Sequence, residues 1–287
     1  LDLFKKGDAV QRNLFVDQLG KAFHQIGFVG VVNHGVPKEL VDGFYTASKA
    51  FFSLPETEKL RYEIPGLAGQ RGYTSFGKEH AKHSEVGDLK EFFQIGQTVL
   101  DGDAILSEYP ENVKVEFPET FTELGFKLYK AFEESGAYLL RAIALYLKLG
   151  EDYFDSKIHN GNSILRAIHY PPIISEPKSA IRAEQHEDIN LITLLVGASS
   201  GGLQVLTKSG EWMDAIPGEQ EIVVNVGDML QRLTNNYLVS TTHRVVNPPR
   251  QEWHIPRLSI PFFLHPRSEM DLSCLESCIE PGAQAGY

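Results

Sequence analysis

From residue 163 to residue 264 the chain breaks into short runs rich in β-branched and aromatic residues: 164–170, 181–185, 191–196, 203–206, 212–216, 221–226, 229–233, 239–246 and 258–264. Gly, Asn, Asp and Pro separate them. Each run has the length of a strand, and the separators are turn formers. Many short strands at close intervals bury their apolar faces by closing into a sandwich or a barrel. A jelly roll of two facing sheets is the natural container for such strands, over 161–270.

The earlier part reads differently. Val10, Leu14, Phe15, Leu19, Phe23 and Ile26 recur at helical spacing and predict a helix over 8–26, which Gly27 ends. A short apolar strand follows at 28–33, and Pro37 suits the first turn of a second helix over 38–53. Residues 54–56 open another helical turn, and 66–77 form a Gly-rich loop with a short strand. The longest helical pattern covers 117–149, and a short helix follows at 152–157. The expected fold is mainly β with flanking helices. It has an N-terminal α/β portion at 1–100, helical support at 101–160, the jelly roll at 161–270 and a tail at 271–287.

One stretch in the β-rich half carries chemistry. His186 and Asp188 are two residues apart, so on an extended strand both side chains fall on one face. An imidazole nitrogen and a carboxylate oxygen there can hold a divalent metal, but two ligands are not a site. His243, about 55 residues later on another strand-like run, supplies a third. Two His and one carboxylate on one side of an octahedral ion leave three positions open, the arrangement of non-haem Fe(II) oxygenases. Arg257 and Ser259 repeat the two-residue spacing about 14 residues further on. A guanidinium and a hydroxyl on one face form a fork for a carboxylate, worth about 1.5–3 kcal/mol when desolvated. His-x-Asp alone is a weak signal in a chain with 10 histidines, whereas the ordered set is a strong one.

With these residues in this order, the sequence resembles the isopenicillin N synthase-like family of Fe(II)/2-oxoglutarate-dependent dioxygenases. The matching stretches are LRAIHYP at 165–171, HEDINLITLL at 186–195, GLQV at 202–205, VNVGDMLQRLTN at 224–235, STTHRVV at 240–246 and RLSIPFF at 257–263. The first half adds GFVGVVNHGV at 27–36 and DLKEFFQIG at 88–96. The resemblance spans nearly the whole chain and is specific to the family, not to a substrate. It implies a double-stranded β-helix (cupin-like) core, with Fe(II) held by His186, Asp188 and His243. It also implies 2-oxoglutarate on the iron, gripped at its far carboxylate by Arg257 and Ser259, with the Tyr170 hydroxyl reaching the same co-substrate.

O2 would be the other co-substrate and ascorbate a reductant. The implied reaction hydroxylates, desaturates or cyclises a small organic molecule, while 2-oxoglutarate is decarboxylated to succinate and CO2. Phe93 and Phe263 are expected to line the substrate pocket, and residues 66–87 and 89–96 to lie over its mouth. Where many plant members carry Asn two residues before the Tyr170 position, this chain has Ile168. Isopenicillin N synthase and ACC oxidase use an Arg-x-Ser pair for other carboxylates, so an oxidase independent of 2-oxoglutarate stays open. A non-catalytic binding protein on the same fold is a second alternative, and the intact ligand set counts against it. A Zn hydrolase would share the triad type but would need a separate base and has no use for Arg257.

The remaining signals are bland. A net charge of -11 and a pI near 5.4 argue against a nucleic-acid partner. The most apolar stretch, 137–149, is interrupted by Arg141 and Lys148 and is too short to span a membrane. No obligate protein partner is implied. Cys274 and Cys278 have no neighbouring His and are expected to be free thiols, which fits a reducing cytoplasm. His34, His80, His83, His169, His254 and His265 receive no metal role. Glu187 and Arg244 are expected to face away from the metal, and Asn225, Gly227 and Asp228 to form a turn between strands. Leu1 in place of Met predicts residues before it, and the resemblance implies a further helix after the last strands.

Overall fold

A short helix α1 (Asp2–Lys6) precedes the helix α2 (Ala9–Gln25). Asp8 caps α2. Its carboxylate accepts from the Val10 and Gln11 amides at 3.0 and 2.9 Å, and the Gln11 side chain accepts from the Asp8 amide. Three otherwise unpaired amides are satisfied, those of Asp8 and Gln11 reciprocally, which fixes where the helix starts. Gly27 ends the turn at φ 78°, where a Cβ would run into the Val239 carbonyl. The chain is described in a computed structural model over residues 1–67, 69–80, 86–98, 108–197, 199–218, 220–279 and 286. His83 and most of the tail beyond 279 lie outside the described residues.

After β1 (Phe28–Val32) come α3 (Lys38–Phe52), α4 (Glu56–Leu60), β2 (Gly72–Thr74) and β3 (Glu91–Gly96). The long helical pattern is one continuous helix, α5 (Thr120–Tyr146), followed by α6 (Asp155–Ile158). The β-rich half holds β4 (Ile164–Tyr170), β5 (Ala183–His186), β6 (Ile192–Val196), β7 (Leu203–Leu206) and β8 (Trp212–Asp214). It continues with β9 (Glu221–Val226), α7 (Asp228–Leu233), β10 (His243–Val245) and β11 (Arg257–Leu264).

The strands pair antiparallel in two sheets, ordered β1-β9-β6-β11-β4-β3-β2 and β5-β10-β7-β8. These are the two facing sheets of the expected jelly roll. The larger one draws on both ends of the chain, because β1 pairs with β9 and β3 with β4.

One expected strand is a helix. Residues 229–233 belong to α7, not to a β-run. Met, Leu, Gln and Arg are good helix formers, and Leu230 and Leu233, three apart, are both buried on one helical face.

Alternation along β11 shows how the layers divide. Leu258, Ile260, Phe262 and Leu264 enter the main core, whereas Arg257, Ser259, Pro261 and Phe263 line a cavity between the sheets. Phe262 stacks on Phe132 of α5 at 5.6 Å and meets Tyr129 edge-on at 5.0 Å. With α2 and α3 packed on α5, the helices cover one face of the large sheet and leave the other to the cavity. Among the described residues no helix is long and apolar enough to cross a membrane.

Candidate active site

His186 is the last residue of β5, and Asp188 lies just past the strand rather than on it. A register shift in the pairing of β5 with β10 brings Ala183 and His186, an odd spacing, to the same cavity. Asp188 is fixed through its backbone, because its carbonyl accepts from the amide of Asp228 at 2.8 Å where α7 begins. His243 opens β10 directly opposite His186. The two imidazole rings are 4.5 Å apart, and their Nε2 atoms lie 3.8 Å (His186) and 3.7 Å (His243) from Asp188 Oδ1. All three ligand atoms fall within 4.8 Å of one another, so one ion can touch them all. It is the one such group of His, Cys, Asp or Glu among the described residues.

The atoms facing away from that point are already occupied. Nδ1 of His186 bonds the Glu184 carbonyl at 2.6 Å and Nδ1 of His243 bonds the Thr241 carbonyl at 3.1 Å. A carbonyl only accepts, so each Nδ1 carries the proton and each Nε2 presents a lone pair. Asp188 Oδ2 accepts from Thr193 Oγ1 at 2.6 Å and from Asn225 Nδ2 at 2.8 Å, leaving Oδ1 for a metal. Desolvation, followed by the charge of His243, lowers the pKa of His186 and keeps it neutral. Burial works to raise the pKa of Asp188. His243, His186 and the bonds from Asn225 and Thr193 outweigh it, so the carboxyl is held below its usual range. Neutral imidazoles and an ionised carboxylate are the protonation states that bind a divalent ion. Phe28 supports His243 edge-on at 5.5 Å.

At the other end of the cavity Arg257 is 1% exposed. Its Nε donates to the Ser200 and Gly201 carbonyls at 3.1 and 3.2 Å, while Nη1 is buried with no partner. Ser259 lines the same cavity, and Tyr170 stands opposite Arg257 in the β4–β11 register, its ring centre 4.9 Å from the guanidinium carbon. An orphaned guanidinium nitrogen beside a hydroxyl suits a carboxylate, so the residues present fit a dicarboxylate co-substrate reaching from a metal.

The substrate-side expectations divide. Phe263 lines the cavity. Phe93 does not: it is 1% exposed and packs against Phe51 and Phe121 at 5.3 and 5.0 Å in the helix-covered core. The reason is register. Phe93 stands opposite Ala167, a core residue, while Phe92 stands opposite Ile168, which lines the cavity. Phe92 therefore joins Ile168 and Tyr170 between the sheets.

Sequence reasoning missed Lys90 and Arg166, which both reach the cavity. Arg166 Nη1 meets both oxygens of Glu79 at 3.2 Å, and Lys90 Nζ lies 2.7 Å from Glu79 and 2.7 Å from Asp88. Two-residue alternation back from Tyr170 through Ile168 would have found Arg166. Asn225 was also underrated: it lies on β9 and orients Asp188. Other expectations hold. Arg244 turns outward onto Trp212 at 3.9 Å, Glu187 accepts from Thr242 Oγ1 at 2.9 Å, and both cysteines are free. His169 bonds Glu91 at 2.7 Å on the far face of the sheet.

Comparison with known proteins agrees with this geometry. Residues 1–120 match the family described as non-haem dioxygenase in morphine synthesis N-terminal, and residues 161–266 match the 2OG-Fe(II) oxygenase superfamily. A 2-oxoglutarate-dependent dioxygenase of Aspergillus rugulosus is 31% identical over 306 residues, covering 99% of this chain and 91% of that protein. A solved 2OG-Fe(II) oxygenase family protein from Caulobacter crescentus superposes with a TM-score of 0.89 at 38% identity, covering 99% of this chain and 91% of its own. A full-length Neurospora crassa protein solved in complex with alpha-KG gives a TM-score of 0.89 at 30% identity, covering 100% of this chain and 89% of its own. The chain belongs to the 2OG-Fe(II) oxygenase superfamily and is an Fe(II)- and 2-oxoglutarate-dependent oxygenase.

Proposed function

We propose that His186, Asp188 and His243 bind the Fe(II), that Arg257, Ser259 and Tyr170 hold the far carboxylate of 2-oxoglutarate, and that a small polar molecule is oxidised beside Phe263. The observation that carries this reading is the buried, unpartnered Nη1 of Arg257, placed with Ser259 in the cavity that also contains the triad. Bound Fe(II) would supply the centre at which O2 is activated as 2-oxoglutarate gives succinate and CO2. The chain's own residues orient and desolvate. Thr193 and Asn225 aim Asp188, Leu195 and Leu203 wall the cavity with apolar surface, and Arg257 fixes the co-substrate's direction.

The substrate we propose is uncharged or zwitterionic, offering both donors and acceptors. Lys90 and Arg166 reach the cavity already matched by Asp88 and Glu79, so this wall is polar without net charge. Relatives frame the size: the same Neurospora crassa protein has also been solved with alpha-KG and thymine, and an Arabidopsis thaliana relative 31% identical is named homoarginine-6-hydroxylase. Hydroxylation is the expected outcome, with desaturation or ring closure as variants. A cytoplasmic setting is supported by the two free thiols.

The test is an anaerobic titration of the Fe(II) protein with 2-oxoglutarate, followed by the visible charge-transfer band of a chelated 2-oxo acid. Arg257→Ala removes charge-assisted bonds worth about 1.5–3 kcal/mol, which is about 10- to 150-fold in 2-oxoglutarate affinity. Matching titrations in the two proteins would move the carboxylate site away from Arg257. A net-anionic molecule turned over with the highest kcat/KM would overturn the substrate class.

A further inference from the structure

Arg182, the residue before β5, is buried at 2% exposure. Its Nη2 donates to the Ile255 carbonyl at 3.0 Å, and its Nε has no partner. Its guanidinium carbon lies 5.9 Å from the centre of the Tyr170 ring, and that of Arg257 lies 4.9 Å from the same ring. Two buried guanidiniums therefore share one tyrosine, and each keeps a nitrogen unsatisfied. Among the described residues neither is bonded to a carboxylate. The acid acting on Arg182 is Glu252, which is exposed and has less influence than burial, Arg257 or Tyr170. Burial first, and the charge of Arg257 second, pull Arg182 down to about 10. A buried cation without a counter-charge is costly, and two together are costlier. Anchoring the single Ile255 carbonyl would need only a neutral amide donor.

We infer that Arg182 is a positioning residue for the co-substrate: beside Tyr170 it makes the Arg257 end of the cavity doubly positive. That end accepts the second carboxylate of a 2-oxo dicarboxylate and disfavours 2-oxo acids lacking one. The inference rests on the proposed placement of that carboxylate at Arg257. Arg182 does not line the cavity, so it acts through the Tyr170 ring and through its field.

The experiment compares Arg182→Gln, Arg182→Met and Arg182→Lys with wild type and Arg257→Ala. Two readouts are taken on the anaerobic Fe(II) protein: the 2-oxoglutarate Kd from the visible band, and the Tm with and without 2-oxoglutarate. Gln keeps a donor for Ile255 and loses the charge, Met loses both, and Lys keeps the charge. Both neutral variants are expected to raise the Kd about tenfold and to shrink the 2-oxoglutarate-induced rise in Tm. In Arg182→Gln the Tm without 2-oxoglutarate holds or increases, because an uncompensated charge has gone. Arg182→Lys stays within about threefold of wild type, and KM for 2-oxoglutarate follows Kd while kcat changes little. An unchanged Kd in a folded neutral variant, or a Kd loss in Arg182→Lys as large as in Arg182→Gln, overturns the inference. If Arg257→Ala titrates like wild type, the placement of the carboxylate at Arg257 is what fails. A Kd loss confined to Arg257→Ala leaves that placement standing and removes Arg182 from it.

Discussion

A metal site is selected as much by the atoms that cannot bind the ion as by those that can. Nδ1 of His186 and of His243 is spent on backbone carbonyls, and Oδ2 of Asp188 on Thr193 and Asn225. What remains is one nitrogen from each ring and one oxygen. Thr193→Val keeps the shape of the side chain and removes the hydroxyl that bonds Asp188 Oδ2. Loss of such an orienting bond lowers metal affinity about 10-fold or more. We expect that loss in an anaerobic calorimetric Fe(II) titration; the Tm of the metal-free protein falls as well, because the buried Asn190 Nδ2 loses the same hydroxyl as its acceptor at 2.7 Å. Equal affinity would mean that Asn225 alone holds the carboxylate. The triad itself was legible in the sequence, because two imidazoles, a carboxylate and an Arg-x-Ser pair form an unusual set. Asn225 was not, since an amide two residues before Gly227 and Asp228 reads as part of a turn. Phe93 was misplaced by one residue for a physical reason: alternation tells which residues share a face, but only pairing with β4 tells which face is the cavity.

Secondary elements follow the same division between what is local and what is not. The left-handed Gly27 and the helical pattern of α5 are local and were readable, whereas the expected helix over 8–26 took in Asp8, which is its cap. The run Met229–Leu233 was ambiguous, because a five-residue run containing apolar residues does not separate a strand from a buried helical turn by periodicity. The actual helix starts where Asp228 meets the loop after β5, a contact made across 40 residues and invisible to sequence pattern. Helix α5 and strand β11 meet through aromatic faces, with Phe132 stacked on Phe262 and Tyr129 at its edge. Phe132 is fully buried. Phe132→Ala is expected to cost about 3–5 kcal/mol, because the hole cannot close against a rigid sheet. Urea unfolding should show a lower midpoint with the same slope. A loss under about 1 kcal/mol would mean that α5 shifts to fill the space, and the helix would then not be the fixed backing of β11.

Across the whole molecule, the cavity is closed by residues from the first third of the chain. Residues 77–80 lie against 86–90, with the Gly77 amide on the Lys90 carbonyl at 3.1 Å and the Asp88 amide on the Glu79 carbonyl at 2.9 Å. Asp88 Oδ1 accepts from the Glu184 amide at 3.0 Å, tying them to β5 two residues before His186. Glu79 is the latch to the opposite sheet, bound to Arg166 on β4 and to Lys90. Burial alone would raise its pKa, but the charges of Arg166 and Lys90 prevail and lower it to about 2 from an ordinary 4.5. A folded-state pKa below the unfolded value means that the ionised form is favoured by folding. The latch therefore contributes its full stability above about pH 4.5 and loses it as pH falls through about 2, below which the carboxyl is neutral in both states. Glu79→Gln imitates the protonated form. Urea unfolding of the two proteins at a series of pH values should show wild type more stable above about pH 5, with the gap closing steadily between about 4.5 and 2. The variant should also lose protection from protease around Glu79 and Lys90 at neutral pH. A gap that stays constant with pH would show that Glu79 acts through packing rather than charge, and the electrostatic latch would have to be abandoned.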